Sequence, residues 1–336
     1  MATSPPIKIG NSTVEPGTRA AIDLPIADLY TGTSLSMPVK VINGKKAGPV
    51  LFVSAAIHGD ELNGVEIVRR LLRQKDLRTM RGTLIAVPIV NVHGFLDRSR
   101  YLPDRRDLNR SFPGSAKGSI ASRTANTFVR EIVSKAEYGI DLHTGALNRT
   151  NLPQIRANLD DEKNLELARV FGTPVIINST LRDGSLRQHA AESGFPLLVY
   201  EAGEALRHEE VCILAGLRGV KRVMRHLGML PKTKPTRALT PVIADATSWV
   251  RAPASGIVSR KLKLGATVSE GDRLAVVSDP LGEDEEKVRA PFDGIVIGRS
   301  TLPLAHEGEA LFNLAAFKSL SRAESNVEHF AAKITE

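Results

Sequence analysis

Apolar residues occur along the first two thirds of the chain in short runs, each of which ends in a polar or charged residue. The run 50–57 is continuous, which is typical of a strand buried on both faces of a mostly parallel sheet. Within 62–72 the apolar residues then recur at helical spacing. Two shorter runs, 139–142 and 197–200, resemble the first. This alternation of strands and helices predicts an α/β fold.

Three of the residues that follow these runs have side chains suited to binding a metal ion. His58 and Glu61 lie across the first strand-to-helix turn, and His143 follows the second strand. Ligands of open α/β sheets bind outside the carboxyl ends of the strands. Two imidazoles and one carboxylate are the ligand set of a catalytic zinc ion with one position left open. The alternative is a surface histidine beside a glutamate that caps a helix, and the arginine-rich segment 105–110 and Glu201 disfavour it.

Four short segments then occur in a fixed order: HGDE at 58–61, RDLNRSFPG at 106–114, DLHTG at 141–145 and YEAGE at 200–204. Together they resemble the succinylglutamate desuccinylase and aspartoacylase family, a branch of the zinc carboxypeptidase superfamily. The resemblance covers roughly residues 45 to 230. It implies a zinc-carboxypeptidase-like mixed sheet flanked by helices, and a zinc-dependent hydrolase that cleaves the amide of an N-acyl amino acid.

The resemblance also implies roles for individual residues. His58, Glu61 and His143 would bind one zinc ion per subunit, and Glu201 would be the general base. A carboxylate in that place can take a proton from the attacking water and pass it to the departing amine. Asp141 lies two residues before His143, where it either orients a ligand imidazole or only caps a loop.

Substrate contacts are expected from the arginine-rich segment and from one residue upstream of Glu201. By resemblance, Asn109 and Arg110 would bind a substrate carboxylate. Arg100 matches the arginine that polarises the scissile carbonyl if two extra residues are allowed before Asp107, and Arg105 competes for that role. For Arg187 the alternatives are a pocket-lining residue and a solvated arginine.

Composition limits the kinds of binding partner and the cellular compartment that we expect for this protein. The chain has 336 residues, one cysteine and a formal charge of +8. A single cysteine excludes a disulfide framework, and no apolar segment is long enough to span a membrane, so a cytoplasmic protein without membrane contact is expected. Only 4% of the residues are aromatic, which leaves little for stacking on bases. The charge therefore favours an acidic small-molecule partner over nucleic acid, and a homo-oligomer stays possible.

The last third of the chain has a different organisation. The segment 231–241 is rich in proline and lysine, and downstream of it 251–258 recurs in similar form as 289–296. Such a pair predicts two related β units packed on each other. We therefore expect a catalytic domain at 1–235 (with N-terminal strands in 1–45), an all-β domain at 240–320 and a tail at 321–336.

The repeated segment resembles the barrel-sandwich hybrid of biotinyl and lipoyl carrier domains. Such a domain needs a lysine at its hairpin tip, and the matching position here is Glu283, while Lys287 lies too close to the next strand. We therefore expect a β domain without a carrier lysine.

Two other functions stay open at this point. A zinc carboxypeptidase acting on small peptides would use the same residues if the cleft were open. A protein that binds metal without turnover is the other alternative.

Overall fold

The computed structural model describes residues 2–233 and 241–334, and its main feature is a 13-stranded mixed sheet. The strands are β1 (Ile7–Ile9), β2 (Ser12–Val14), β3 (Arg19–Asp28), β4 (Ser34–Asn43), β5 (Lys46–Ala55), β6 (Arg81–Val87), β7 (Tyr138–Gly145), β8 (Arg149–Ala157), β9 (Val175–Asn178), β10 (Leu197–Glu204), β11 (Val242–Ala244), β12 (Ala246–Arg251), β13 (Gly256–Ser259), β14 (Thr267–Val268), β15 (Arg273–Ser278), β16 (Glu285–Arg289), β17 (Gly294–Ser300), β18 (Leu304–Ala305) and β19 (Ala310–Ala316). The helices are α1 (Asn63–Leu72), α2 (Val92–Asp97), α3 (Ile120–Glu131), α4 (Glu162–Phe171), α5 (Leu186–Glu192), α6 (Glu210–His226) and α7 (Leu320–Ile334).

The main path of the large sheet runs in the order β12-β19-β17-β8-β10-β7-β5-β6-β4-β3. Its centre is parallel, since β7 pairs in parallel with both β10 and β5, and β5 pairs in parallel with β6. Antiparallel strands flank this centre on both sides. The predicted mixed α/β fold with additional C-terminal β strands is therefore confirmed.

Both faces of the central strands are buried, which explains the continuous apolar run at 50–57. Leu51 and Val53 belong to a core with residues of α1, α4 and α6, whereas Phe52 belongs to a core with residues of α3 and α5. Because side chains alternate along a strand, β5 contributes to both cores. Helices thus cover the two faces of the parallel centre. None of the helices within 2–233 and 241–334 combines the length and apolar character needed to cross a membrane.

Near the predicted ligands, one element boundary differs slightly from expectation. His143 lies inside β7 rather than after it, whereas Glu61 lies between β5 and α1, near the first helical turn, as expected. Sequence periodicity locates apolar side chains, but the backbone pairing of β7 continues past them. The side chain of His143 nevertheless lies at the carboxyl end of β7.

The C-terminal strands form a second, four-stranded sheet with the order β16-β15-β13-β18 and also extend the large sheet. The first repeat copy, 251–258, comprises the end of β12 and the start of β13, and the second copy comprises the end of β16 and the start of β17. Strand β17 pairs with β8, so the large sheet continues from the α/β region into the C-terminal strands. Most of the expected boundary segment, 234–240, lies outside the described residues.

The segment 321–336, expected to be a tail, is helical over most of its length. Helix α7 buries Ala323 and Val327 in a core with strands β9, β11 and β17. Its apolar residues recur at helical spacing and have a sheet to pack against, which a tail would lack.

Candidate metal centre and substrate pocket

The three residues predicted as metal ligands lie together at the carboxyl ends of β5 and β7. His58, Glu61 and His143 are all buried, and each offers one ligand atom within 4.8 Å of the others. Glu61 Oε1 lies 2.8 Å from Nδ1 of His58, and its Oε2 lies 2.8 Å from Nδ1 of His143. Two imidazoles and one carboxylate form a donor set typical of zinc. The residues present therefore fit a bound metal ion.

A close backbone contact shapes the loop that carries His58. A Cβ on Gly59 would lie 1.9 Å from the carbonyl carbon of Gly94, so only glycine fits there without a backbone shift. The amides of Val90 and Asn91 donate to the carbonyls of Ala55 and Ala56, which holds the two loops together. This packing fixes the turn between β5 and α1, and with it the separation of His58 and Glu61.

Two further carboxylates hold the outer nitrogens of the histidines. Nε2 of His143 lies 2.6 Å from Asp141 Oδ2, and Ser54 donates to the other oxygen of Asp141 at 2.8 Å. Nε2 of His58 lies 3.1 Å from Asp107 Oδ1. Both imidazoles are thereby oriented with Nδ1 towards the centre. Asp141 thus occupies the orienting position that was one of its two expected roles. Sequence reasoning did not assign the matching place to Asp107, although it lies in the arginine-rich segment.

The charges in this centre shift several pKa values. Burial lowers the pKa of His58, but the carboxylates of Glu61 and Asp107 more than offset it, so the net shift is upward. Burial also lowers the pKa of His143, but the carboxylates of Asp141 and Glu61 more than offset this effect, so the pKa lies well above its usual value. Burial would raise the pKa of Glu61, yet the two histidines hold it far below its usual range. Without a metal ion, both imidazoles therefore bind a proton more readily than a free imidazole does.

Arg100 lies beside this centre, whereas Arg105 does not. Nη2 of Arg100 donates to Asp107 at 3.0 Å, and its Nη1 lies 3.5 Å from Glu61 Oε1. Arg100 lines the pocket described below. Arg105 is exposed, has a φ of 60°, and is not among the residues that line this pocket. Of the two competing arginines, Arg100 alone lies at the centre.

Glu201 lies next to the metal centre because the parallel register of β10 and β7 aligns it with His143. Its carboxylate is half-buried, and Oε2 contacts both Asn151 Nδ2 at 3.1 Å and Arg156 Nε at 3.0 Å. Both contacts use the same oxygen and neither occupies Oε1. The carboxylate is therefore held in orientation by one oxygen, while the other stays available to a reacting group.

The predicted substrate-binding residues lie on two segments packed against each other, the 3-10 turn at Leu108–Arg110 and the start of α5 with the loop before it. Asn109 accepts a hydrogen bond from the amide of Leu186 at 3.0 Å, and a Cβ on Gly184 would lie 2.4 Å from the carbonyl oxygen of Arg110. Arg187 donates to the carbonyl of Ser179 at 2.9 Å, and burial lowers its pKa to about 10, which still leaves it charged at neutral pH. Asn109, Arg110 and Arg187 all line one pocket.

This pocket has a volume of about 260 Å³, and it joins the metal centre to a set of arginines. The lining residues include His58, Glu61, His143 and Glu201. Six lining residues are arginines: Arg100, Arg110, Arg149, Arg156, Arg182 and Arg187. The lining residues that sequence reasoning missed include Arg149, Asn151, Arg156, Arg182 and Trp249. Three of these lie on β8, which follows no long apolar run.

The chain is similar to known proteins over most of its length. Residues 47–227 match the family model described as the succinylglutamate desuccinylase/aspartoacylase catalytic domain. An N-alpha-acetyl-L-2,4-diaminobutyric acid deacetylase of Halomonas elongata is 27% identical over 310 residues, which cover 88% of this chain and 90% of that protein.

Solved structures share this fold. The product-bound ectoine utilization protein EutE (DoeB) from Ruegeria pomeroyi has a TM-score of 0.79 and 26% identity, covering 89% of this chain and 95% of that one. A succinylglutamate desuccinylase from Silicibacter sp. TM1040 has a TM-score of 0.80 and 24% identity, covering 90% of this chain and 95% of that one.

Proposed function

This chain belongs to the succinylglutamate desuccinylase/aspartoacylase family, and from that premise we propose that it is a zinc-dependent hydrolase that cleaves the amide bond of an N-acyl amino acid. Deacylation is the activity named for the relative from Halomonas elongata. The observation that carries the proposal is the shared pocket: a zinc-type donor set and a separately held carboxylate, Glu201, line the same cavity.

A zinc ion held by His58, Glu61 and His143 would supply Lewis acidity, which polarises an amide carbonyl and lowers the pKa of water. Glu201 is the proposed general base, because its Oε2 is anchored while Oε1 stays available. It takes a proton from the attacking water and delivers it to the nitrogen of the leaving amine. Arg100, a donor beside the centre, stabilises the negative charge that develops on the carbonyl oxygen.

We propose that Asn109 and Arg110 bind the α-carboxylate of the substrate. A guanidinium can donate two parallel hydrogen bonds to a carboxylate, and Arg110 is an exposed arginine at the pocket wall. The Asn109 side-chain oxygen already accepts from the amide of Leu186, so its amide nitrogen is the group left to donate to the substrate. Arg187 lines the same pocket from the start of α5.

Peptide cleavage by the same residues is the alternative activity. We propose deacylation instead, because arginines line the pocket on several sides. A peptide substrate would have to place an amide-rich chain among these charges.

We also propose that residues 1–235 form the catalytic unit and that the β unit at 240–320 carries no prosthetic group, since Glu283 occupies the carrier position.

The test is a substrate panel with metal-free and zinc-loaded protein. N-acetyl and N-succinyl derivatives of several amino acids are compared with dipeptides that end in the same residue. The proposal expects zinc-dependent release of the free amino acid from acyl derivatives, at rates well above those for dipeptides. Faster dipeptide cleavage would favour a carboxypeptidase, and zinc binding without any turnover would leave only a metal-binding protein.

A further inference from the structure

A second cavity lies at the amino ends of the central strands, at the opposite edge of the sheet from the metal centre. It has a volume of about 270 Å³, and the residues that line it lie within 17–19, 42–46 and 77–80. Strand β5 begins beside this cavity and ends three residues before His58. The ten residues of β5 span roughly 30 Å. This cavity, here called the basic cleft, is therefore a separate feature from the metal centre.

Four basic side chains line the basic cleft, and they come from three separate segments of the chain. Arg19 lies on β3, Lys45 and Lys46 lie where β4 turns into β5, and Arg78 lies on the 3-10 turn Lys75–Thr79. All four are exposed. Among the described residues, no carboxylate lies at ion-pair distance from any of these four side chains. Their charges and their N–H groups are therefore available to an anion that enters the cleft.

The acidic residue of the same 3-10 turn does not compensate these charges. Asp76 lies 3.0 Å from Nζ of Lys221 and 3.4 Å from Nη2 of Arg225, and both of these residues belong to α6. None of the three lines the cleft. The carboxylate of Asp76 is thus paired with two cations outside the cleft, and the charge inside it stays positive.

Close backbone packing forms the walls of the cleft. A Cβ on Gly17 would lie 2.6 Å from Cγ of Lys45, so the stem of this lysine lies directly against the backbone of the neighbouring turn. The amide of Gly17 also donates to the carbonyl of Asn43 at 2.8 Å. On the other side, a Cβ on Gly44 would lie 2.3 Å from the carbonyl oxygen of Met80. The segments that carry the basic residues are therefore in contact, and the cleft exists before a ligand binds.

The part of the cleft that faces the protein interior is apolar. Ile42, Leu77 and Met80 line it, and all three are buried in the core that also contains residues of α1, α4 and α6. An apolar group placed against them would be removed from water, which contributes roughly 25 cal/mol per Å² of buried apolar surface. The cleft thus combines a basic rim with an apolar floor.

We propose that the basic cleft binds a small phosphate monoester whose organic part is apolar. Such a group carries roughly −1.5 to −2 charges at neutral pH and has three acceptor oxygens that point in different directions. Donors from three chain segments can each reach a different oxygen. A carboxylate has two oxygens in one plane, which a single guanidinium matches best. The apolar floor then holds the organic part, and no residue of the metal centre takes part.

Calorimetric titration of the zinc-loaded protein with phenyl phosphate at low ionic strength measures this binding. Trp249 separates the two cavities, because it is the single tryptophan and lines the pocket at the metal centre, where a bound anion would change its emission. Binding in the basic cleft should release or absorb heat without changing that emission. Inorganic phosphate, which lacks the apolar part, and benzoate, which lacks the third oxygen and the second charge, should each bind there at least about 10-fold more weakly.

Variants assign this binding to the cleft. Lys45→Gln and Arg78→Gln should each weaken it about 10-fold or more, because each removes one charged donor. Lys75→Gln is the matched control, since Lys75 is exposed and lies on the same 3-10 turn as Arg78 but does not line the cleft. It removes the same charge and should change the affinity less than about threefold, the usual scale for an exposed charge.

Three results would overturn the proposal. If all binding heat is accompanied by a change in Trp249 emission, phenyl phosphate binds only at the metal centre. Equal losses in Lys75→Gln and Arg78→Gln would show general attraction by positive charge without a site. Benzoate or inorganic phosphate bound as tightly as phenyl phosphate would contradict the proposed ligand class. Because only binding is measured, these results do not depend on whether the protein hydrolyses an N-acyl amino acid.

Discussion

The pocket contains two charged regions that are built in opposite ways. At the metal centre, carboxylates contact the outer nitrogens of both histidines, and Glu61 lies between the two rings. The second region, here called the arginine wall, consists of Arg110, Arg149, Arg182 and Arg187. Among the described residues, none of these four has a carboxylate at ion-pair distance.

The difference shows which charges the protein compensates itself and which it leaves for a ligand. Buried charges are costly unless they are paired. The charges of the buried metal centre must therefore be paired within the protein itself, before a substrate binds. The wall is partly exposed, and water can solvate its charges until an anion replaces that water. The metal centre should therefore respond to mutation through metal binding, and the wall through substrate binding and charge repulsion.

The largest expected effect is a loss of bound zinc when the metal centre, but not the arginine wall, is mutated. His143→Ala removes one of three ligand side chains and should abolish stoichiometric zinc binding, and with it nearly all turnover. Elemental analysis of purified protein measures the metal, and Arg182→Gln serves as the control from the wall. Zinc retained at one per chain in His143→Ala would show that the ligands lie elsewhere.

Glu201→Gln should reduce kcat by roughly 100- to 10,000-fold and leave zinc content unchanged. The amide keeps the shape of the side chain but cannot accept a proton. Asn151 and Arg156 still surround it, so the local structure should persist. Kinetics and elemental analysis on the same preparation check both parts. A near-normal kcat would show that another residue is the general base.

Zinc affinity should rise steeply with pH, because binding must displace protons from the histidines. The pKa values of His58 and His143 are raised, so in the metal-free protein both are more protonated near neutrality than free imidazole. Each displaced proton makes affinity rise about tenfold per pH unit, until the pH passes the raised pKa. Competition with a chelator between about pH 6 and about pH 8 measures the slope. A zinc affinity that does not change with pH would show that zinc displaces no protons from His58 and His143.

Asp141→Asn should weaken zinc binding by roughly 10- to 100-fold without abolishing it. The asparagine can still contact His143 Nε2, but it no longer provides a negative charge beside the ring. The loss of that charge should also lower the pKa of His143 and flatten the pH dependence of zinc affinity. Ser54→Ala, which removes only the hydrogen bond to the other oxygen of Asp141, is the milder control.

How far sequence alone predicts this molecule differs between the same two regions. The fold and the clustering of His58, Glu61 and His143 follow from apolar runs that end in polar groups, because parallel strands bring their carboxyl ends to one edge. The contact of Arg149 with Trp249 depends on the register of four strands, three of which belong to the C-terminal region. No local pattern encodes that register, so the wall could only be recognised once the sheet was known.

The smallest expected effect tests whether the wall is left uncompensated. Burial lowers the pKa of both Arg110 and Arg187, and the nearby charge of Arg182, which is exposed, contributes to the same shift. Arg182→Gln should therefore raise the free energy of unfolding of the ligand-free protein by a few tenths of a kcal/mol, the usual scale for exposed charge interactions. The gain should vanish at about 1 M salt, where screening is strong. Arg182→Lys keeps the charge and should change nothing, and denaturant unfolding at low and high salt measures all three proteins. A loss of stability in Arg182→Gln at low salt would mean that the wall is internally compensated, and the contrast with the metal centre would then no longer hold.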